Sequence, residues 1–225
     1  EVIGMLQKTR GIVFRFTRYG DTSIIANIFT QAFGLQSYLV NGVRSKTGRG
    51  QISLYQPLTL LDMVVYHREN ANIMRIKEVR CIHAYQHIHQ DIRKTTIALF
   101  LNEIINKVVR DQSNAETLYD FLMQSFIALD QLDGVENFHL QFLIKLSRHL
   151  GFGAHEVHEI LEGERLVSED DEALQRLLAC TYADVVLLTP SSRRNLLELL
   201  LTFYQRHIES MGVVRSVDVL KEVLR

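Results

Sequence analysis

IVFRFT, residues 12–17, is the stretch that decides the fold class of the first third of the chain. Its apolar residues Ile12, Phe14 and Phe16 occupy every second position, with β-branched or polar residues between them. A period of two, rich in β-branched and aromatic residues, is typical of a β-strand. The stretch therefore predicts a strand, and similar runs recur in the residues that follow.

Four further runs of strand character lie at residues 22–30, 35–40, 59–67 and 73–81. Turn-forming residues separate them, among them Asn41-Gly42 and Pro57. One connection is long, basic and glycine-containing, since residues 44–50 read RSKTGRG. Five short strands joined by turns favour a small barrel over a βαβ sheet.

From Asp91 onward the apolar residues recur with the period of a helix. Helices are predicted at residues 91–110, 114–132, 136–150, 190–211 and 216–224, the last of them capped by Ser216. A weaker stretch between 151 and 190 holds a short helix before Cys180. Residues 1–80 carry a net charge of +6 and residues 81–225 a net charge of −7. We therefore expect an α+β protein whose β-domain (residues 5–81) and all-helical domain (residues 82–225) meet different partners.

Composition excludes several other classes of protein. A chain of 225 residues with 47% hydrophobic and 23% charged residues is ordinary for a globular protein. Cys81 and Cys180 lie far apart and form no disulfide framework, which favours a reducing compartment. No run approaches the ~20 consecutive apolar residues of a membrane span, and no signal-peptide core is visible. We expect a cytoplasmic protein with no membrane partner.

Catalytic and metal-binding motifs are missing from the sequence. It contains no phosphate-binding loop, nucleophile elbow, dinucleotide-binding turn or zinc-protease helix. His155, His158 and Cys180 would leave a tetrahedral zinc ion one ligand short, and the histidines at 83, 87 and 89 are better read as solvated. The carboxylates at 169–172 are typical of a solvated helix start. We predict no catalytic residue, no metal and no cofactor.

The basic loop is the strongest functional signal. Three cations within six residues, beside glycines that let a backbone approach closely, suit a polyanion such as DNA. Tyrosines on the same barrel can stack on unpaired bases; Tyr19, Tyr38, Tyr55 and Tyr66 are candidates, although each is equally well explained as core. The predicted DNA-binding residues are Arg44, Lys46, Arg49, Arg15, Arg18, Tyr19, Arg75 and Lys77. The alternative is that these charges only keep the barrel soluble.

An ordered set of short stretches resembles the RecO family of bacterial recombination mediators. The stretches are residues 11–15, 19–23, 29–30, 33–35, 40–46, 56–58, 150–153, 200–207 and 219–224, of which YGDTS (19–23), VNGVRSK (40–46) and LGFG (150–153) are examples. They span nearly all of the chain from Met5 onward. No single one is as specific as a zinc-knuckle motif, so the resemblance rests on their order.

The resemblance implies an N-terminal five-stranded OB-fold barrel followed by a helical C-terminal domain. It implies a role in DNA repair through recombination: binding single- and double-stranded DNA, annealing complementary strands, and helping RecR to load the recombinase RecA. The implied partners are DNA, RecR, the acidic C-terminal tail of single-stranded DNA-binding protein and, indirectly, RecA. The implied location is the bacterial cytoplasm, in association with the nucleoid.

Two departures from the family pattern concern the helical domain. Some members carry a four-cysteine zinc module there, whereas this chain has only Cys180, so we expect a zinc-free variant. Leu140 and Gln141 stand where other members have basic residues associated with docking the acidic tail. The candidates for tail binding are Lys107, Arg110, Lys145 and Arg148.

A rival hypothesis from another class of protein remains open. OB-folds bind several kinds of ligand, so the barrel of a non-catalytic scaffold could bind protein instead of DNA. The preference for single or double strands, the oligomeric state, the surface that binds RecR and the position of the tail pocket are also open at this point.

Overall fold

The computed structural model describes residues 4–45, 50–110, 113–163 and 165–225. Contacts divide the chain into two compact units, the first holding residues 1–84 and 109–124 and the second residues 85–108 and 125–225. The segment 109–124, which the sequence assigns to the helical domain, thus groups with the barrel. The domain bounds of 5–81 and 82–225 stay a prediction.

Five strands form the first unit: β1 (Met5–Tyr19), β2 (Ser23–Thr30), β3 (Gly34–Val40), β4 (Leu60–His67) and β5 (Met74–His83). They close into a barrel in the order β1-β2-β3-β5-β4, with β4 paired to β1. The β3–β5 pair is parallel and the other pairs are antiparallel. A small five-stranded barrel of this kind is an OB-fold, so the predicted fold class is confirmed.

Alternate residues of the strands fill the barrel. Its core includes Val13, Ile24, Ala26, Ile28, Tyr38, Leu61, Met63 and Val65. Gly11 also faces inward, where a Cβ would lie 2.5 Å from Ile28 Cγ2 and 2.7 Å from Met63 Cε. The interior at this point therefore accepts only glycine without rearrangement.

The stretch IVFRFT does not keep a period of two throughout. The register of β1 against β2 shifts just after Val13, where a β-bulge adds one residue to β1. Val13 lies in the barrel core with Phe16 packed against it, whereas Phe14 is buried outside the barrel. There Phe14 stacks on Phe29 with ring centroids 5.6 Å apart. One strand thus buries side chains on both of its faces.

Helix α2 (Ala115–Gln131) contributes its first half to the barrel unit. Gln31 Nε2 donates a hydrogen bond to Asp120 Oδ1 at 3.0 Å. Burial raises the pKa of Tyr119 to about 12, and the nearby Arg10 opposes that rise. Since Arg10 is on β1 and Gln31 follows β2, this half of α2 lies over the outer side of these strands.

The second unit is helical. Beside the second half of α2 it holds α1 (Ile92–Val108), α3 (Phe138–His149), α4 (Val157–Leu161), α5 (Ser168–Ala179), α6 (Pro190–His207) and α7 (Val217–Val223). Helix α3 is buried along most of its length, and Tyr204 Oη donates to the carbonyl oxygen of Leu143 at 2.6 Å. Thr189 caps α6 by accepting from Ser192 N, with Pro190 at the first turn.

Three details differ from the sequence predictions. Helix α4 has no counterpart among the predicted helices, and a capping box between Glu156 and Glu159 begins it. Asp170, in the acidic start of α5, is buried and accepts from Asn195 Nδ2 at 3.0 Å instead of being solvated. Ser216 Oγ donates to Glu103 Oε2 at 2.6 Å and makes no cap for α7.

A buried carboxylate orders the residues before α1. Asp130 Oδ1 accepts from the successive backbone N–H groups of Gln86, His87 and Ile88 at 2.8–3.0 Å. Lys94, itself buried, donates to the backbone oxygen of Asp130 at 2.7 Å.

Within the described residues, no helix has both the length and the apolar character that a membrane span needs.

Candidate nucleic-acid interface

The strand registers define which residues face outward on the barrel. Partners across neighbouring strands share a face. Ala26 and Tyr38 are partners and both lie in the core, so the residues between core positions point outward. Along β1, β2, β3 and β5 this gives a surface that we call the outer face: Arg15, Thr17, Tyr19, Ile25, Asn27, Ser37, Leu39 and Arg75.

Three predicted DNA-binding residues lie on the outer face. Arg15 pairs with Asn27 of β2, Tyr19 pairs with Ser23, and Arg75 pairs with Leu39 of β3. The two arginines are exposed, and Tyr19 is 54% exposed. With neighbouring strands about 4.8 Å apart, β1 and β5 place the arginines on opposite margins of a surface roughly 14 Å wide.

Arg44 is held at one end of this face. Its Nη1 donates to the carbonyl oxygen of Gly20 at 3.1 Å, and its backbone N–H donates to that of Thr22 at 3.0 Å. Gly20 has φ +56° in the tight turn after Tyr19, a conformation that suits glycine. The start of the predicted basic loop is thereby fixed against the turn that follows Tyr19, and the Arg44 guanidinium has further donors that suit a phosphate.

Other predicted residues lie elsewhere. Arg18 pairs with the core residue Ile24, so it is on the opposite face of β1, at the barrel end. Lys77 is exposed where the β4–β5 register shifts and belongs to a bulge. Lys46 and Arg49 fall outside the described residues.

Two of the candidate stacking tyrosines are core residues. Tyr38 is fully buried inside the barrel and Tyr55 packs in the same core. Burial raises the pKa of both hydroxyls, that of Tyr55 to about 12. Neither ring can stack on a base in this fold. Tyr66 is half-buried on β4 and pairs with Arg75.

The sequence interpretation missed the middle of the outer face. Asn27 Nδ2 donates to Ser37 Oγ at 2.8 Å, and the half-buried Ile25 and Leu39 pair beside them. The period of two within residues 22–30 and 35–40 could have predicted this surface, because it places Ile25, Asn27, Ser37 and Leu39 on one face. Their aliphatic members looked like core residues, however.

Lys145 and Arg148 come together on α3, one turn apart. Lys145 Nζ donates to the carbonyl oxygen of Cys180 at 2.8 Å and lies 5.5 Å from the ring centre of Tyr182. Burial lowers the pKa of Lys145. Arg148 Nε donates to Ala154 O at 3.1 Å and its Nη2 to Leu178 O at 2.8 Å.

Arg148 also lines a cavity of about 550 Å³, and the other lining residues are His155, Glu156, Val157, His158, Gln175, Leu178 and Ala179. Arg148 is the only predicted tail-binding cation among the described residues that line it. The cavity combines a cation and apolar side chains, which are two features that an acidic peptide with an apolar end requires, but the Glu156 carboxylate that also lines it opposes an acidic ligand. Gln141 donates to Cys180 Sγ at 3.2 Å and to Thr181 O at 3.1 Å.

The remaining two candidates are not placed with that pair. Lys107 at the end of α1 lies 4.0 Å from Glu103. Arg110 is exposed and belongs to the barrel unit.

In the described part of the chain, no group of three or more His, Cys, Asp or Glu residues could hold a metal ion, and both cysteines are free thiols.

An OB-fold barrel with exposed cations on one outer face, followed by a helical unit, defines the chain as an OB-fold protein with an appended helical domain. Residues 5–85 match the family model "Recombination protein O N terminal" and residues 89–180 match "Recombination protein O C terminal". The chain belongs to the RecO family.

Curated relatives agree with this assignment over almost their whole length. A protein of Flavobacterium psychrophilum named DNA repair protein RecO is 30% identical, over 96% of this chain and 98% of its own. The protein of that name from Bacteroides fragilis is 33% identical, over 97% and 99%. A solved asparaginyl-tRNA synthetase from Entamoeba histolytica is matched over 66% of this chain and 32% of its own, at 16% identity and a TM-score of 0.30.

Proposed function

We propose that this protein is a non-catalytic recombination mediator in bacterial DNA repair. It binds single- and double-stranded DNA, anneals complementary strands and, with RecR, helps to load RecA onto DNA coated by single-stranded DNA-binding protein. The observation that carries the DNA-binding part is the outer face, where Arg15 and Arg75 flank polar and aliphatic residues and Arg44 stands beside Tyr19. The protein would act in the cytoplasm, at the nucleoid.

Annealing follows from charge neutralisation in this proposal. Two DNA strands repel each other through their phosphates, and Lys and Arg side chains that replace condensed counterions reduce this repulsion. Base pairing then supplies the driving force, and no bond is made or broken by the protein. A nuclease assay with added magnesium tests the non-catalytic part, because cleavage that follows the purified protein would contradict it.

The DNA-binding proposal is tested by the salt dependence of single-strand affinity. The double variant Arg15→Ala/Arg75→Ala should reduce the slope of log K against log salt by about 0.7 for each phosphate that the variant no longer neutralises. Arg176→Ala is the matched control, since Arg176 is an exposed arginine of the helical unit. An unchanged slope in the double variant with an intact fold would favour the scaffold hypothesis instead.

We further propose that the acidic tail of single-stranded DNA-binding protein binds at Lys145, Arg148 and the cavity beside Arg148. A labelled peptide of aspartates ending in phenylalanine serves as the probe in fluorescence anisotropy. Lys145→Met keeps the aliphatic stem and removes the charge, so it should weaken binding of the peptide, whereas Lys107→Met should not. Equal loss in both variants would place the docking site elsewhere.

A further inference from the structure

The barrel carries a second basic surface, centred on β4. Leu61, Met63 and Val65 of this strand lie in the core. The residues at the even positions 62, 64 and 66 therefore point outward, and their partners on β1 and β5 share that face. We call this surface the β4 face, and it consists of Leu6, Lys8, Arg10, Asp62, Val64, Tyr66, Arg75, Glu78 and Arg80, with Lys77 at the bulge of β5.

Cations outnumber carboxylates on the β4 face. Asp62 is already paired, because Arg80 Nε and Nη2 donate to its Oδ2 at 2.9 and 2.7 Å. Among the described residues of the face, Glu78 is the other carboxylate, and the five cations are Lys8, Arg10, Arg75, Lys77 and Arg80. The face therefore has a net charge of +3. The charges of Arg68 and Glu69 in the adjoining hairpin cancel.

One end of the β4 face lies against α2 and the other is open. Besides burial, the charges of Arg10 and Asp62 act on the pKa of Tyr119, so α2 lies at that end. At the opposite end the half-buried Tyr66 has Leu6 and the exposed Arg75 as its strand partners. An aromatic side chain among cations provides the two contacts that a single DNA strand needs, base stacking and phosphate neutralisation.

The β4 face and the outer face lie on different sides of the barrel. The outer face is centred on β2 and β3, whereas β4 pairs with β1 and β5. In a ring of five strands, β4 is two strands away from both β2 and β3, which is the largest separation available. Arg75 stands at the margin that the two faces share. A DNA strand on the outer face therefore leaves the β4 face free.

We propose that the β4 face binds a second DNA strand while the outer face holds the first. The proposal rests on the DNA-binding role proposed above and adds the place of the second strand in annealing. Tyr66 favours a single strand, because only unpaired bases offer a face for stacking. A protein partner fits less well, since charged residues are depleted at the centre of protein interfaces and only three residues of the β4 face are uncharged.

The number of strands bound by the full chain tests this proposal. The probe is a fluorescein-labelled oligothymidylate too short to reach both faces, and because thymidylates do not pair with each other, each bound molecule reports one site. We expect two molecules per chain at saturation. Lys8→Gln/Lys77→Gln should keep the first site and weaken the second roughly twentyfold at about 0.1 M salt, since each phosphate no longer neutralised removes a power of about 0.7 in salt concentration.

Annealing gives a second measurement on the same variant. Energy transfer between labels on two complementary oligonucleotides reports the rate, which should fall with the loss of the second site. Arg176→Gln/Arg225→Gln is the matched control, because it removes the same charge from exposed positions of the helical unit and should anneal as the parent does. Thermal unfolding at the parent's temperature shows that the lysine variant is folded.

Failure of this proposal can be told apart from failure of the DNA-binding role. A parent that binds no oligothymidylate would contradict both. One molecule per parent chain, or a lysine variant with the parent's second site and annealing rate, would overturn the second-strand site alone. Loss of both sites in the lysine variant, with both kept in Arg15→Ala, would also overturn it, because all DNA binding would then belong to the β4 face.

Discussion

Two predicted DNA-binding arginines of the barrel and two predicted tail-binding cations of the helical unit lie in opposite environments, although the sequence alone presents them alike. Arg15 and Arg75 are exposed on the outer face of the barrel. Lys145 and Arg148 are partly buried, and they donate to backbone oxygens at the end of α5 and, for Arg148, also to that of Ala154 before α4. Cations near the C-terminus of a helix also complement its dipole. The charge of a residue is thus visible in sequence, but whether it serves a ligand or the fold depends on what surrounds it.

The largest effect that sharpens this comparison is expected at Gly153. A Cβ at this position would overlap the backbone and the side chain of Arg148, so the chain that supplies the Ala154 carbonyl would have to move. Gly153→Ala should lower the free energy of unfolding by about 4 kcal/mol or prevent folding. Urea unfolding measures this, with Gly134→Ala as the control, since its Cβ would meet only Glu136 at 3.8 Å. Similar stability of the two variants would refute the tight approach.

Stability in acid should follow His139, which is buried in the helical unit. Burial, with a smaller contribution from Arg193, lowers its pKa from 6.5 to about 3. The folded state therefore binds fewer protons than the unfolded state, so stability falls as the pH falls from about 6.5 toward 3, by about 1.4 kcal/mol per pH unit.

Replacing this histidine separates its contribution from that of other groups. Between pH 6 and pH 4 we expect His139→Leu to lose roughly 2–3 kcal/mol less stability than the parent, because leucine takes up no proton. Urea unfolding at each pH gives the two curves. Parallel curves would mean that His139 does not set the acid limit.

The same substitution should act differently in the two regions. Arg148→Ala leaves two carbonyl oxygens without their donors and should cost about 2 kcal/mol of unfolding free energy. Arg15→Ala, on the outer face, should change stability by less than about 0.5 kcal/mol. Chemical denaturation of both variants compares them directly. Equal losses would mean that Arg148 contributes no more to the stability of the fold than Arg15 does.

Most of the barrel follows from local pattern, and its exceptions have non-local causes. Each of the five predicted strands is present, because alternation and turn residues are properties of neighbouring positions. The burial of Phe14 outside the barrel depends on a bulge and on the packing of Phe29. The grouping of residues 109–124 with the barrel depends on contacts about ninety positions apart, such as Gln31 with Asp120. A period of two in the sequence predicts neither a bulge nor a contact between residues that lie far apart in the chain.

The residues of the candidate site could be predicted from the sequence less completely than the strands and helices. Arg15, Tyr19 and Arg75 were selected for their chemistry, and the registers place them on one face. Tyr38 has the same chemistry as Tyr19 but lies in the core, because strand parity decides which way a ring points. Which residues of β1 point outward after Val13 could be predicted from the alternation only if the bulge there were known.

The smallest expected effect tests the two tyrosines against each other. If bases stack on the exposed ring, Tyr19→Leu should weaken single-strand binding by about 1 kcal/mol, or roughly fivefold, at the lower end of what base–aromatic stacking contributes. The salt slope should stay unchanged, since every cation that neutralises a phosphate is still present. Tyr38→Phe removes only a buried hydroxyl that has no hydrogen-bond partner in the described structure, so it should leave DNA affinity as it is. Anisotropy titrations at several salt concentrations distinguish the cases. If Tyr19→Leu changes the slope instead of the intercept, the ring orders Arg44 and its loop and does not stack on DNA.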